Sequence, residues 1–485
     1  MLLSDFVWSH NPRGLHVEQA FQSPPDYTHW TTPRMGWVKL LAAGIEYVDD
    51  AVYFLNHNVT PITRLYLGAY GAGPFSRGLQ GIVNSFAQAG VKWFEFYNEP
   101  NLGVEWPNNF NPSWQDIDNC IRPLMENWLL FAEYVISIGC YPGFIPLAES
   151  VDYRYAATLW MDAFLNYLAN NHYERFRTIL ANGCWCATHP YIANHFYQEI
   201  PGGGSLSKRS MGAEVATEPG WHFEYPYDPI GQAADPGRTV YGGTSLTPYG
   251  DPNGLLAMGS MFNERCAQIF GAQAVPVIGT EGGIYPFRDQ TFQPDNRYPA
   301  YNESSQAEAT VAMFEWIARQ APPWFFGLTL WKEDDYYRPG TARAIGRLSE
   351  TPVVYKNVPP QEVMGSGLAP ATPVPYGPGP IHGDADFHMI VLGPGLDSRW
   401  FFSTAQAYWN LFRPMVTTHS ELIDYIPNTQ SLAVTVIASP DTLDLMESQI
   451  KDRYVNVRFD LIVANSLESV AETLNLRARV NERFG

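Results

Sequence analysis

The chain has 485 residues, 46% hydrophobic and only 16% charged, so a large core is available and bulk disorder is excluded. Its 30 Lys and Arg stand against 49 Asp and Glu, a net charge of −19 that argues against nucleic acid and against an anionic membrane surface, both of which select clustered basic residues. The 15 Trp, 28 Tyr and 27 Phe suit flat, uncharged ligands such as sugars, and they also suit a large core.

Short apolar runs then alternate with helical patterns along the chain. Residues 14–17 read as a first strand. A strand over 35–42 precedes a helix over 45–56, and a strand over 62–69 precedes a helix over 76–90. The β-prone run 92–97 stops at the turn Asn98-Glu99-Pro100. A helix over 123–138, a strand over 143–148, a helix over 156–170 and a strand over 183–188 follow. Helices over 255–270 and 305–319 then lead into strands over 275–280 and 324–331. This alternation predicts a parallel sheet, and roughly eight units in about 340 residues fit a closed (β/α)8 TIM barrel better than an open sheet.

Three segments follow from this pattern. Residues 1–350 form the barrel, interrupted by a long connection at 196–254 that leaves the sixth strand. That connection is rich in Gly, Pro, Tyr and Asp and carries Gly202-Gly203-Gly204; loops of this length are functional segments more often than scaffold. Residues 351–383 read as a Pro-rich linker, which holds neither helix nor ladder. Residues 384–485 read as a small α/β domain with strands at 386–392, 431–438 and 459–464 and helical patterns at 404–411 and 442–454. Its Gly393-Pro394-Gly395 lacks the spacing of a phosphate-binding loop.

The cysteines Cys120, Cys140, Cys184, Cys186 and Cys266 contain no CxxC pair, so neither a disulfide framework nor a zinc site is expected. The first residues lack the basic and apolar regions of a secretion signal, which leaves location open. No run of 18 apolar residues occurs, so no membrane span is expected.

Two carboxylates stand out by position. Glu99 ends the run Lys92-Trp93-Phe94-Glu95-Phe96-Tyr97-Asn98, and Glu281 ends Val275-Pro276-Val277-Ile278-Gly279-Thr280. In a parallel barrel all strand C-termini point to one face, where active sites lie. By the strand count these are strands four and seven, whose ends converge across the mouth. A pair of glutamates facing one sugar is what acid-assisted cleavage of a glycosidic bond requires, whereas the bland reading of each is a solvated loop carboxylate.

Asn98-Glu99-Pro100 on strand four with Glu281 on strand seven resembles the clan A retaining glycoside hydrolases. Further matches are His189-Pro190-Tyr191 at the end of strand six and Trp331 at the end of strand eight. The resemblance covers about residues 10–350. It implies Glu99 as general acid/base, Glu281 as nucleophile, Asn98 as donor to the sugar 2-OH, Tyr191 as hydrogen-bond partner of the nucleophile and Trp331 as floor under the cleaved sugar. Arg64 on strand three resembles basic residues near the nucleophile, and His189 is placed to touch substrate. An oligosaccharide or polysaccharide is the implied partner, acted on without cofactor or metal; the sugar and the oligomeric state stay open. A barrel that binds carbohydrate without cleaving it is the alternative. Trp106, Trp221 and Tyr225 are loop aromatics able to stack on sugars, Trp185 reads as core, and Glu333, Asp334 and Asp335 read as an acidic turn or as ligands of sugar hydroxyls. His382, Asp384, Asp386 and His388 share a period-two spacing, but they adjoin the flexible linker, so a metal reading is set aside.

Overall fold

The structure is a computed structural model, and it describes residues 1–17, 25–192, 197–200, 204–205, 220–222, 235–241, 244–284, 303–332, 336, 343–364, 385–427, 430–454, 456–479 and 483–484. The chain divides into two compact units, one of Met1–Gly73 with Phe86–Thr372 and one of Pro74–Ser85 with Pro373–Gly485.

The first unit is a TIM barrel. Its strands are β1 (Arg13–His16), β2 (Trp37–Ala42), β3 (Thr60–Leu65), β4 (Trp93–Glu95), β5 (Tyr141–Phe144), β6 (Trp185–Thr188), β7 (Val277–Gly279) and β8 (Phe325–Leu330). They close in sequence order, β8 pairing with β1, and every pairing is parallel. Every residue of β2 and β3 is buried, as expected for parallel strands covered on both faces. In chain order, helices α1 (Val48–Asn56), α2 (Arg77–Gln88), α3 (Arg122–Ser137), α4 (Ala157–Asn171), α5 (Tyr173–Ala181), α6 (Ala257–Phe270), α7 (Glu303–Arg319) and α8 (Arg343–Glu350) follow the strands, residues 77–85 of α2 belonging to the second unit. Helix α6 ends at Gly271 with φ +74°, a left-handed cap that glycine adopts without a Cβ clash. Tryptophans fill the barrel's lower layers: Trp37, Trp93 and Trp185 are fully buried and meet edge to face at ring separations of 5.3 and 5.5 Å.

Boundaries moved where local chemistry outweighed pattern. Strand β5 starts at Tyr141 and ends at Phe144, short of the expected 148. Between β5 and β6 the chain makes α5 in addition to the expected helix, and the apolar triplet Ala344, Ile345 and Leu348 buries α8. Of the expected long connection, the backbone of Tyr197–Ile200, Gly204–Ser205 and Gly220–His222 forms a small antiparallel sheet. Residues 201–203, with the Gly202-Gly203-Gly204 run's first two members, and Tyr225 lie outside the described residues, as does the side chain of Trp221. Within the segment read as a linker, residues 351–364 are described and bonded to the barrel. Buried Lys356 donates to the carbonyls of Ile317 (2.8 Å) and Ala321 (2.9 Å), and Val363 donates to Met1. Residues 365–383 lie outside the described residues.

The C-terminal unit holds a four-stranded parallel sheet in the order β10 (Met415–Thr417), β9 (Phe387–Leu392), β11 (Leu432–Ala438), β12 (Arg458–Val463). One face packs Met389, Val434 and Val436 against Met446 and Ile450; the other packs Ile390 and Ile437 against Phe401, Tyr408, Val470 and Leu474. The three-residue β10 and the closing helix Leu467–Arg479 were not apparent in the sequence pattern. Among the described residues, no helix is long and apolar enough to cross a membrane.

Candidate active site

Glu99 lies four residues beyond β4, in a turn where Tyr97 (φ +70°) and Glu99 (φ +32°) both take left-handed backbone. Such residues cost about 1–3 kcal/mol each and persist only where the surroundings over-determine them. Here the restraint is visible. Tyr97 Oη donates to the Gly73 carbonyl (2.5 Å), and fully buried Asn101 donates to the carbonyls of Ala148 (2.9 Å) and Tyr155 (2.8 Å) while accepting from Ala148 N (3.0 Å).

Glu281 follows β7 and is buried. Thr280 N donates to Thr188 O (2.8 Å), and Gly283 N donates to Pro190 O (2.9 Å). Beyond the barrel rim, Gly283–Ile284 pairs in parallel with Tyr191–Ile192, extending β6 and β7 past the mouth. Gly282 takes φ +127°, and a Cβ there would lie 2.3 Å from Pro190 O, so only glycine fits beside the carboxylate.

The side chains converge. Arg64 donates to Glu281 Oε1 (2.6 Å), Lys39 donates to the same oxygen (3.2 Å), and Tyr191 Oη donates to Oε2 (3.2 Å). His189 Nδ1 bonds Glu99 Oε1 at 2.7 Å and lies 3.7 Å from Glu281 Oε2. One oxygen of Glu99, one of Glu281 and a ring nitrogen of His189 all lie within 4.8 Å of one another. Asn98 Oδ1 accepts from Arg64, and Asn98 Nδ2 donates to Glu105 Oε1 (2.8 Å). Trp331 stands at the end of β8, its ring 4.4 Å from His16 and edge-on to it, its backbone N–H donating to Gly282 O (2.9 Å).

Burial by itself pushes the Glu281 carboxyl up. The charges of His189, Lys39 and Arg64 outweigh it and hold this carboxyl well below the usual carboxylate range. His16 is pushed well below its ordinary value, chiefly by burial and further by Lys39 and Arg64 against the pull of Glu281. Its Nδ1 donates to Val17 O (2.6 Å), so the ring is neutral with the proton on Nδ1. Burial also raises Glu105 above the ordinary glutamate value.

All the residues singled out at the strand ends, Glu99, Glu281, Asn98, Tyr191, His189, Arg64 and Trp331, therefore stand at one mouth. Four others were not singled out. Lys39 sits on β2, paired at 2.9 Å with Glu95 on β4, and both are fully buried; His16 sits on β1 and Glu105 in the loop after β4. For Lys39 and Glu95 the signal was a charged residue inside an apolar strand: Lys39 between Val38 and Leu40, Glu95 between Phe94 and Phe96. Such residues are almost never fully buried without a partner. Trp185 is core, with its indole donating to Tyr141 O (3.0 Å), and Trp106 is buried with its indole donating to Pro100 O (2.8 Å). Glu333, Asp334, Asp335, His382 and Asp384 lie outside the described residues. Asp386 accepts from Ser431 N (2.8 Å), and buried His388 bonds Thr435 (3.1 Å), so these two are engaged within their own sheet.

No family model and no curated protein matches the sequence. Solved structures of similar fold include a GH128 endo-β-1,3-glucanase of Amycolatopsis mediterranei in complex with laminaritriose and laminaribiose, with 11% identity over 70% of this chain and 98% of that one, TM-score 0.33. A family 5 glycoside hydrolase of Prevotella bryantii in complex with a xyloglucan tetradecasaccharide shows 12% identity over 70% and 96%, TM-score 0.33. A sugar phosphate isomerase/epimerase of Parabacteroides distasonis shows 12% identity over 66% and 99%, TM-score 0.25. Glycoside hydrolases thus recur among proteins of similar fold, an epimerase stands beside them, and no residue role is carried over from any of them.

Proposed function

We propose that the chain is a retaining β-glycoside hydrolase acting on an oligosaccharide or polysaccharide, with Glu281 as nucleophile and Glu99 as general acid/base. The observation that carries this reading is the pairing at the mouth: a carboxylate kept ionised by Arg64 and Lys39, within 4.8 Å of a second carboxyl. Retaining carboxyl groups stand about 5–5.5 Å apart, whereas inverting ones leave about 6.5–9.5 Å for a water, and one oxygen of each glutamate within 4.8 Å of the other favours the shorter class.

In this reading Oε1 of Glu281 is anchored by the two cations, and Oε2 attacks the anomeric carbon. The bond to the leaving oxygen breaks as Glu99 gives that oxygen its proton. Glu99 then takes a proton from water, the hydroxyl adds to the anomeric carbon, and the ester to Glu281 breaks. His189 Nδ1 donates to Oε1 of Glu99, which leaves the other oxygen of Glu99 to exchange the proton with the leaving group and with water. Trp331 forms the floor, and Asn98 donates its second N–H to the sugar 2-OH.

A 2,4-dinitrophenyl 2-deoxy-2-fluoro-β-glycoside tests the assignment. The expected result is a stoichiometric adduct on the peptide carrying Glu281 and, with unmodified substrate, a first product of retained configuration by NMR. An adduct elsewhere, or an inverted product, would overturn it.

The Glu99–His189–Glu281 cluster also has the makeup of a metal site. Two cations already on Glu281 Oε1 oppose a divalent ion there, since like charges at this range repel strongly in a buried setting. Full activity after exhaustive chelation is the expected result.

A further inference from the structure

A cavity of about 260 Å³ adjoins the proposed reacting centre, lined by the loops after β3 and β4. Of the residues at that centre only Arg64 and Asn98 reach it; Glu99, His189, Glu281 and Trp331 do not line it. Its polar end is Glu105. One oxygen of this part-buried carboxyl is held by Asn98 Nδ2 at 2.8 Å, and the other has no hydrogen-bond partner among the described residues. Part-buried Tyr66 and Tyr70 line it, as does Tyr97, whose ring is buried against Phe96, and Gly68 and Ala69 are exposed at the edge. The volume is below the roughly 300–1,000 Å³ of sites for drug-sized ligands, which suits one sugar ring rather than a chain.

Resting on the glycosidase reading, we infer that this cavity is a subsite for the sugar next to the reacting one on its non-reducing side, with Glu105 accepting a hydroxyl of that sugar. The side follows from the lining. Glu99 faces the leaving group and is absent from the cavity, whereas Arg64 and Asn98 belong to the half of the site that holds the nucleophile and the 2-OH. The substrate class is then a glycan presenting at least two sugars before the cleaved bond, not a terminal monosaccharide. Tyrosines beside one unoccupied carboxyl oxygen suit a sugar, whose ring can stack and whose hydroxyls can donate. Burial raises the Glu105 carboxyl, which is consistent with a group that a ligand hydroxyl would satisfy.

The test compares 4-nitrophenyl β-glycosides of single sugars with those of the matching disaccharides, in gluco, manno and xylo configuration. The wild type is expected to favour the disaccharide in kcat/KM. Glu105→Ala is expected to lower the disaccharide-to-monosaccharide ratio roughly 10- to 100-fold, the span for a hydrogen bond to a charged group. Ala69→Trp, which narrows the cavity from its exposed edge, is expected to lower the same ratio and guards against misfolding of the first variant. An equal fall on both substrates in Glu105→Ala, together with an unchanged ratio in Ala69→Trp, would overturn the subsite and leave Glu105 acting only through Asn98. Absence of turnover on every glycoside would instead sink the glycosidase reading and the subsite with it.

Discussion

Replacing Lys39 by Met separates the two tasks that the structure gives this side chain. Its Nζ lies 2.9 Å from Glu95 and 3.2 Å from Glu281, with all three side chains at most 5% exposed. Removing one partner of a buried pair costs about 3–5 kcal/mol, mostly because a charge is left buried alone. Unfolding entropy of about 2.1 cal/mol/K per residue over a unit of about 360 residues converts that into a Tm lowered by about 4–7 °C. The double variant Lys39→Met/Glu95→Gln removes the stranded charge and is expected to recover most of that loss. Activity behaves differently. Lys39 is one of the charges holding Glu281 low, so its loss raises the Glu281 pKa, and the acid limb of the kcat/KM–pH profile moves to higher pH in both variants. Calorimetry and the pH profile read the two effects independently. An unchanged Tm in the single variant, or an acid limb that stays in place in both, would refute the reasoning.

Glu99→Ala is expected to lose about 10²–10⁴-fold on glycosides with poor leaving groups and much less on 2,4-dinitrophenyl glycosides, with azide yielding a β-glycosyl azide; equal losses and no azide product would point to another acid. Gly282→Ala forces a Cβ to within 2.3 Å of Pro190 O at φ +127°, so kcat is expected to fall with lowered stability, and wild-type kinetics would mean that the Glu281 backbone is not fixed as described. Because the folded pKa of Glu281 lies below the unfolded value of about 4.3, its ionisation stabilises the fold above that pH and ceases to do so as the pH falls through the folded value. The Tm difference between wild type and Glu281→Gln is therefore expected to favour wild type less at pH 3 than at pH 7, and an invariant difference would contradict it.

The barrel was legible because burial on both faces writes near-continuous apolar runs into strands such as β2 and β3, and strand order then follows from chain order. The positions of Glu99 and Glu281 were legible for the same reason, each standing just past such a run. What pattern did not carry was the company they keep. That Lys39 reaches across to Glu281 depends on β2 and β7 meeting through the barrel's interior, a separation of 242 residues that no local period encodes. Glu105 was missed because a loop glutamate looks like any solvated carboxylate until the fold buries it. In the C-terminal unit a strand of three residues, Met415–Thr417, was too short for any alternation to register.

The paired extension of β6 and β7 beyond the rim is held from both sides. The segments that carry Tyr191 and Glu281 are tied by backbone pairing, which runs to Ile192 and Ile284, both buried. Chain further along the sequence holds the same segment from behind: Gln306 (3.1 Å) and the Tyr336 hydroxyl (2.6 Å) donate to the Ile284 carbonyl, and the backbone N–H of Trp331 donates to Gly282 O (2.9 Å). A substitution at Gln306 or Tyr336, neither of which bonds Glu281, therefore acts on the backbone that carries this carboxylate, and variation at such positions reaches the mouth without altering any side chain in it.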